Sequence, residues 1–158
     1  MNNKLFKEIL LYARQNKNWN GYFCSNDVQE INRLSFHYKT FEIQINEIFH
    51  SRVPHTHSSN MISLILDRGY RWFLQQQGAV ESLEMFAAPG TIIRMGPQDV
   101  HWIPDQANPS LSICIFDTQT DWHNVFPPLL ETDIQRMLDL FHNRLDTLMR
   151  FLDLIPDE

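Results

Sequence analysis

The chain has only two cysteines, Cys24 and Cys114, far apart and outside any C-x-x-C pattern. Cys114 lies inside the apolar run Leu111–Phe116 and reads as a buried free thiol, which sets the expectation of a reducing, cytoplasmic setting. Basic runs are missing too. With 13 Lys and Arg against 19 Asp and Glu, the formal charge is -6. Such a chain lacks the positive surface that phosphate backbones and anionic lipids attract, so neither nucleic acid nor membrane is expected as its main partner. No apolar stretch reaches the roughly 18–20 residues that span a bilayer. The opening MNNKLFKEILLYARQ is too interrupted to read as a secretory signal. There is no repeat, low-complexity tract or linker, and 158 residues suit one domain over 1–158.

What is present falls into three zones. The first, 1–32, places Leu5, Ile9, Leu10 and Ala13 at helical spacing, followed by an Asn-rich segment, 16–31, that reads as a loop anchored by Trp19, Tyr22 and Phe23. The second, 33–117, is strand-like. Phe41, Ile43 and Ile45 alternate with Glu42, Gln44 and Asn46, the pattern of a strand with one wet face. Met61–Leu66 and Tyr70–Leu74 flank the turn Asp67-Arg68-Gly69 and are expected to pair antiparallel. Further strands are expected over Val80–Phe86, Thr91–Met95 and Leu111–Phe116, the last two separated by a loop holding Pro97, Pro104 and Pro109. Short strands with close turns mean a sandwich or barrel. The third zone, 118–158, is a helical tail, with Leu130, Ile134, Met137, Leu138, Leu145, Leu148 and Leu152 in its apolar stripe.

The chemistry centres on His55-Thr56-His57. In a strand, side chains two apart share a face, so both imidazoles can project together. Neutral imidazole is the commonest ligand for transition metals, and a third from a neighbouring strand, His101, would complete one face of an ion. His37, His50, His123 and His142 read as structural. Asn60 and Asp105 read as turn formers rather than oxygen ligands.

These residues resemble the motifs of the cupins, small β-barrels whose first motif runs roughly G-x5-H-x-H-x4-E-x6-G. Here it reads Phe49, His55, His57, Ile62 in the glutamate slot, and Gly69. The second, roughly G-x5-P-x-G-x2-H-x3-N, reads Gly90, Gly96, Gln98, His101 and Asp105, with Pro97 one place late. The resemblance covers about 40–117 and implies a mainly β fold: a single cupin-type jelly-roll barrel flanked by N-terminal and C-terminal helices. It also implies a divalent transition metal on His55, His57 and His101, with iron(II) first and zinc, nickel or manganese as alternatives. With no carboxylate at Ile62, the site is similar to the three-histidine branch that includes thiol and diketone-cleaving dioxygenases. Ile62 also stands where a thiol dioxygenase would have its cross-link cysteine, so the analogy extends to the metal and not to the substrate.

Two function classes follow. One is a non-haem iron dioxygenase-like enzyme acting on a small molecule. The other is a non-catalytic binding or sensor module that signals through the helical tail, and a barrel that has lost its metal belongs with it. Parity gives a pocket of Ile62, Leu64 and Leu66 on one wall and Tyr70 and Trp72 across it. Arg71 and Arg94 are expected to point outward; turned inward, either would hold a substrate carboxylate. The stripe over 129–155 is wide enough for a homodimer contact as well as for packing on the barrel. If it is the dimer contact, Leu148→Glu with Leu152→Glu yields soluble monomers in light scattering; a wild-type chain already monomeric at tens of micromolar refutes it.

Overall fold

The computed structural model describes residues 3–16, 19–65 and 68–117, with Gln135, Asp139 and Arg150 beyond them. Helix α1 (Asn3–Gln15) comes first. Phe6, Ile9, Leu10 and Ala13 are its buried face, an i, i+3, i+4, i+7 stripe. Nine strands follow among the described residues: β1 (Asn20–Ser25), β2 (Gln29–Tyr38), β3 (Phe41–His55), β4 (Met61–Ile65), β5 (Tyr70–Gln75), β6 (Leu83–Ala87), β7 (Ile92–Met95), β8 (Val100–Ile103) and β9 (Leu111–Phe116). All their pairings are antiparallel.

Strand β3 is shared by two ladders. Its first half pairs with β9, from Glu42↔Phe116 to Glu47↔Leu111; its last part pairs with β8, at Ser51↔Ile103 and His55↔His101. Along its other edge β2 follows it as far as Ser51. One half of the curled sheet is therefore β1-β2-β3-β9-β4-β7, and the other is β3-β8-β5-β6. This is the mainly β jelly-roll arrangement expected.

The curled sheet has two cores. Outside, α1 packs Phe6, Ile9 and Leu10 on Leu34, Phe36, Ile43, Ile45, Leu64 and Ile113. Inside, Met61, Ile65, Met95, Cys114 and Phe116 of the first half meet Tyr70, Trp72, Leu74 and Ile103 of the second. The part of the first half beneath α1 is thus buried on both faces, which corrects the reading of Glu42, Gln44 and Asn46 as a wet face. All three are buried. Once α1 covers the apolar face, the polar one has only the barrel interior to line.

Other expectations change for topological reasons. The segment 16–31 carries β1 and the start of β2 rather than a loop. Of its anchors, Trp19 packs edge-on to Phe36 with centroids 4.7 Å apart, whereas Phe23 is exposed. Strands β4 and β5 do not pair: β4 lies between β7 and β9, and β5 between β6 and β8. Their connection crosses from one half of the sheet to the other instead of closing a hairpin. The loop between Pro97 and Pro104 contains β8, four residues long and too short for periodicity to reveal. The strand expected at Val80 begins at Leu83. The helix expected over 129–155, and the dimer contact expected on it, lie outside the described residues, apart from Gln135, Asp139 and Arg150, which are helical. Gln135 Nε2 donates to Asp139 Oδ1 at 2.9 Å, one turn on.

Two glycines have backbone reasons. Gly90, at φ 86°, occupies the left-handed region in the turn before β7. At Gly69, just before β5, a Cβ would overlap the Phe86 ring and stand 2.8 Å from the Ala87 carbonyl oxygen. The ring can swing away, but the carbonyl belongs to the β5–β6 ladder. Gly69→Ala should lower unfolding free energy by about 1–3 kcal/mol, read from the urea midpoint; an unchanged midpoint contradicts the close approach.

Candidate metal centre

His55 ends β3, His57 follows two residues later, and His101 lies in β8 directly across from His55 in the ladder. The β2 partner stops at Ser51, so β3 is an edge from there on and accepts Pro54, which has no N–H to donate. The β3–β8 register shifts between Ser51 and His55. Strict parity would turn Val53 inward with the histidines, but at this irregularity Val53 is 52% exposed.

The three side chains converge. Their ligand nitrogens all lie within 4.8 Å of one another. Ring centroids are 4.3 Å apart for His55 and His101, and 4.8 Å for His57 and His101. His57 Nε2 is 3.2 Å from His101 Nε2. Two nitrogens each about 2.1 Å from one ion are separated by about 3.0 Å at a right angle and about 3.4 Å at a tetrahedral one. The observed spacing falls between these. His55 Nδ1 lies 2.9 Å from the Val53 carbonyl oxygen, which can only accept, so Nδ1 carries the proton and Nε2 presents its lone pair.

Burial keeps these rings neutral. It holds His57 down to about 2, with the charges of His101, His55 and Arg33 adding to the effect. His101 is lowered to about 4, by burial first and then by His55. His55 is lowered by burial, against the opposing bond to Val53. Neutral imidazole is the ligating form, so the donor set suits a transition metal.

The histidines line one part of a cavity of about 50 Å³ between the two halves of the sheet. Tyr70 and Trp72 line it, as the alternation along β5 implies. Ile62 and Leu64 do not; both belong to the outer core beneath α1. Met61 and Ser63 line the cavity instead. Met61 and Ser63 keep the odd-numbered parity of His55 and His57 across the bend at Ser58 and Ser59, so Met61, one residue before the expected slot, lines the histidines' cavity. Leu66 lies outside the described residues. Arg71 and Arg94, candidates for the pocket, are exposed and do not line the cavity; Arg94 has the outward orientation expected, and Arg71 Nε is 3.4 Å from Glu84. Asp105 is engaged by Arg52, and Asn60 donates to Asp117 at 2.7 Å, so neither joins the cluster. His50 is buried, with Nε2 2.9 Å from the Asn26 carbonyl, and His37 is exposed.

The sequence reading missed Arg33. It is buried, lines the cavity, donates from Nε to Asn46 Oδ1 at 2.6 Å and lies over the Tyr22 ring at 5.5 Å. Its signal was the alternation of Arg33 and Ser35 with Leu34 and Phe36. Asn46 continues a polar chain, with Nδ2 3.4 Å from Cys114 Sγ and Ser63 Oγ 3.4 Å beyond.

No family model matches the sequence, and no curated protein does. Solved structures with a similar fold include the iron(II) form of HppE, at a TM-score of 0.50 and 7% identity over 63% of this chain and 56% of that one. Hydroxypropylphosphonic acid epoxidase from S. wedmorenis gives 0.48 and 7%, over 63% and 55%. The Drosophila melanogaster CENP-C cupin domain gives 0.46 and 12%, over 72% and 96%. The chain thus spans about half the length of the first two. The strand order, the in-phase histidine motifs and the first superposition agree on one architecture, and the barrel has the cupin fold.

The neutral histidines carry a pH signature. Unfolded, they take up protons near the ordinary value of about 6.5; folded, His101 and His57 resist until far lower pH. The unfolded state then binds more protons, so the metal-free fold loses stability as pH falls from about 6.5 towards about 4. His101→Gln should flatten that part of the profile, measured as urea midpoints at neutral and acid pH. An unchanged slope would contradict the burial argument.

Proposed function

We propose that the chain binds one divalent transition metal, iron(II) in preference to zinc, nickel or manganese, through His55, His57 and His101. On this reading it uses the metal for oxygen-dependent chemistry on a small molecule. The observation that carries the reading is the convergence of three neutral imidazoles with nitrogens within 4.8 Å and, among the described residues, no carboxylate in the cluster. The HppE structure of like fold, solved in its iron(II) form, is a supporting parallel.

In this mechanism a bound iron(II) supplies the Lewis acidity and one-electron chemistry that side chains lack. The rest falls to the protein. Val53 holds the His55 ring so that Nε2 faces inward. Burial spares the ligands from competing protonation. Three neutral donors leave the ion's double charge intact, favouring a chelating or anionic ligand over water. Met61, Met95, Phe116 and Trp72 wall the cavity with apolar surface that excludes bulk water.

One observation favours the alternative of a non-catalytic binding module: among the described residues, no Asp or Glu lines the cavity to serve as a general acid or base. Oxygen uptake by the iron-loaded protein across thiols, diketones and small phenols supports the enzyme. A ligand-dependent change in oligomeric state without uptake supports the module.

For the metal itself, elemental analysis after reconstitution with iron, nickel or zinc should give about one ion per chain. His57→Ala and His101→Ala should each weaken binding by about tenfold or more, while His37→Ala, exposed on β2, leaves it unchanged. A chain that stays metal-free in all three reconstitutions refutes the site.

A further inference from the structure

Strand β6 ends one arm of the curled sheet. Among the described residues only β5 pairs with it, which leaves its other edge open. An open edge presents unpaired N–H and C=O groups, and chains ordinarily blunt it with proline, lysine or a bulge. β6 has none of these. Its sequence, Leu83 to Ala87, holds one charge, Glu84, and its register with β5 runs from Tyr70↔Ala87 to Leu74↔Leu83 without a shift. It is also bare on both faces. Leu83 and Met85, on the face of Trp72 and Leu74, are 61% and 38% exposed; Phe86, on the face of Arg71, is 67% exposed. The other edges differ: β7 carries Arg94, and β1 exposes a single large apolar side chain, Phe23.

Symmetry selects the occupant. An antiparallel pair sets residues of the same face opposite each other. If both strands are β6 and a two-fold axis relates them, the axis must pass between one residue and its own copy. Centred on Glu84, two carboxylates oppose each other. Centred on Phe86, Leu83 meets the second copy's Pro89, which has no N–H for the ladder. Centred on Met85, all five residues pair: Met85 with Met85, Leu83 with Ala87, and Glu84 with Phe86. Within one chain Arg71 already stands opposite Phe86, and Phe73 opposite Glu84. The outer row across the seam therefore reads Arg71 and Phe86 of one chain, then Glu84 and Phe73 of the other, and its twin reads the reverse. Each Glu84 keeps its own Arg71, 3.4 Å away, and faces the second copy's Arg71 with a phenylalanine between them.

We propose that a second copy of this chain docks on β6, in an antiparallel two-fold pairing centred on Met85 that joins the two sheets into one. Met85 is the cross-strand partner of Trp72, which lines the cavity, so the seam lies one strand from that wall.

The test is light scattering of the full chain at about 50 μM, without added metal or ligand. It should give twice the 18.8 kDa of one chain. Met85→Lys should give a monomer, folded by circular dichroism, because it sets two ammonium groups face to face at the axis. A wild-type monomer overturns the proposal. So does a dimer that survives Met85→Lys, including one held by the tail and broken by Leu148→Glu with Leu152→Glu. Should Met85→Lys fail to fold, cross-linking decides. In a Cys24→Ser background under mild oxidation, Met85→Cys should trap a disulfide dimer at least about tenfold faster than Glu84→Cys, since only position 85 meets its own copy. Equal rates, or no trapped dimer, overturn the pairing.

Discussion

The structure depends on β3 serving two ladders at once. A strand fifteen residues long cannot stay straight between β9 and β8, because those partners belong to opposite halves of the curled sheet. The shift between Ser51 and His55 is where it turns. Before that point β3 contributes Ile43 and Ile45 to the outer core and Gln44 and Asn46 to the interior. After it, His55 is delivered opposite His101. Fold closure and the convergence of the histidines therefore follow from one irregularity in one strand.

The second constraint is the helix at the start of the chain. By covering the apolar face of β2, β3, β9 and β4, α1 assigns the polar face of β2 and β3 to the barrel. Arg33, Gln44 and Asn46 are lining residues for that reason, and Ile62 and Leu64 are not. A cupin barrel whose interior joins this polar wall to Met61, Met95 and Phe116 separates two environments within a small cavity. Desolvation keeps the imidazoles neutral on one side, while the Arg33–Asn46–Cys114–Ser63 chain keeps a cation tolerable on the other.

His55, His57 and His101 were legible because a period of two and a motif in phase survive without knowledge of the sheet. Tyr70 and Trp72 were legible on the same ground, lying in an uninterrupted strand. The error at Ile62 has the opposite cause. Its inward face was taken from the motif's glutamate slot, whereas Met61 and Ser63 keep the parity of His55 and His57, and a one-residue slip reverses every side chain in the strand. Arg33 was passed over because a charged residue in a strand ordinarily reads as solvent-facing.

By itself the sequence determined the strand-rich class, the α1 stripe, the central strand Leu111–Phe116 and the three imidazoles, since each is written in local periodicity or spacing. Only the tertiary structure decided that β4 and β5 part company, that a four-residue strand carries His101, and which wall of the cavity is polar. Those are matters of pairing between segments distant in the chain. A strand has two faces and two edges of similar local character, and the partners that cover them decide which becomes the inside.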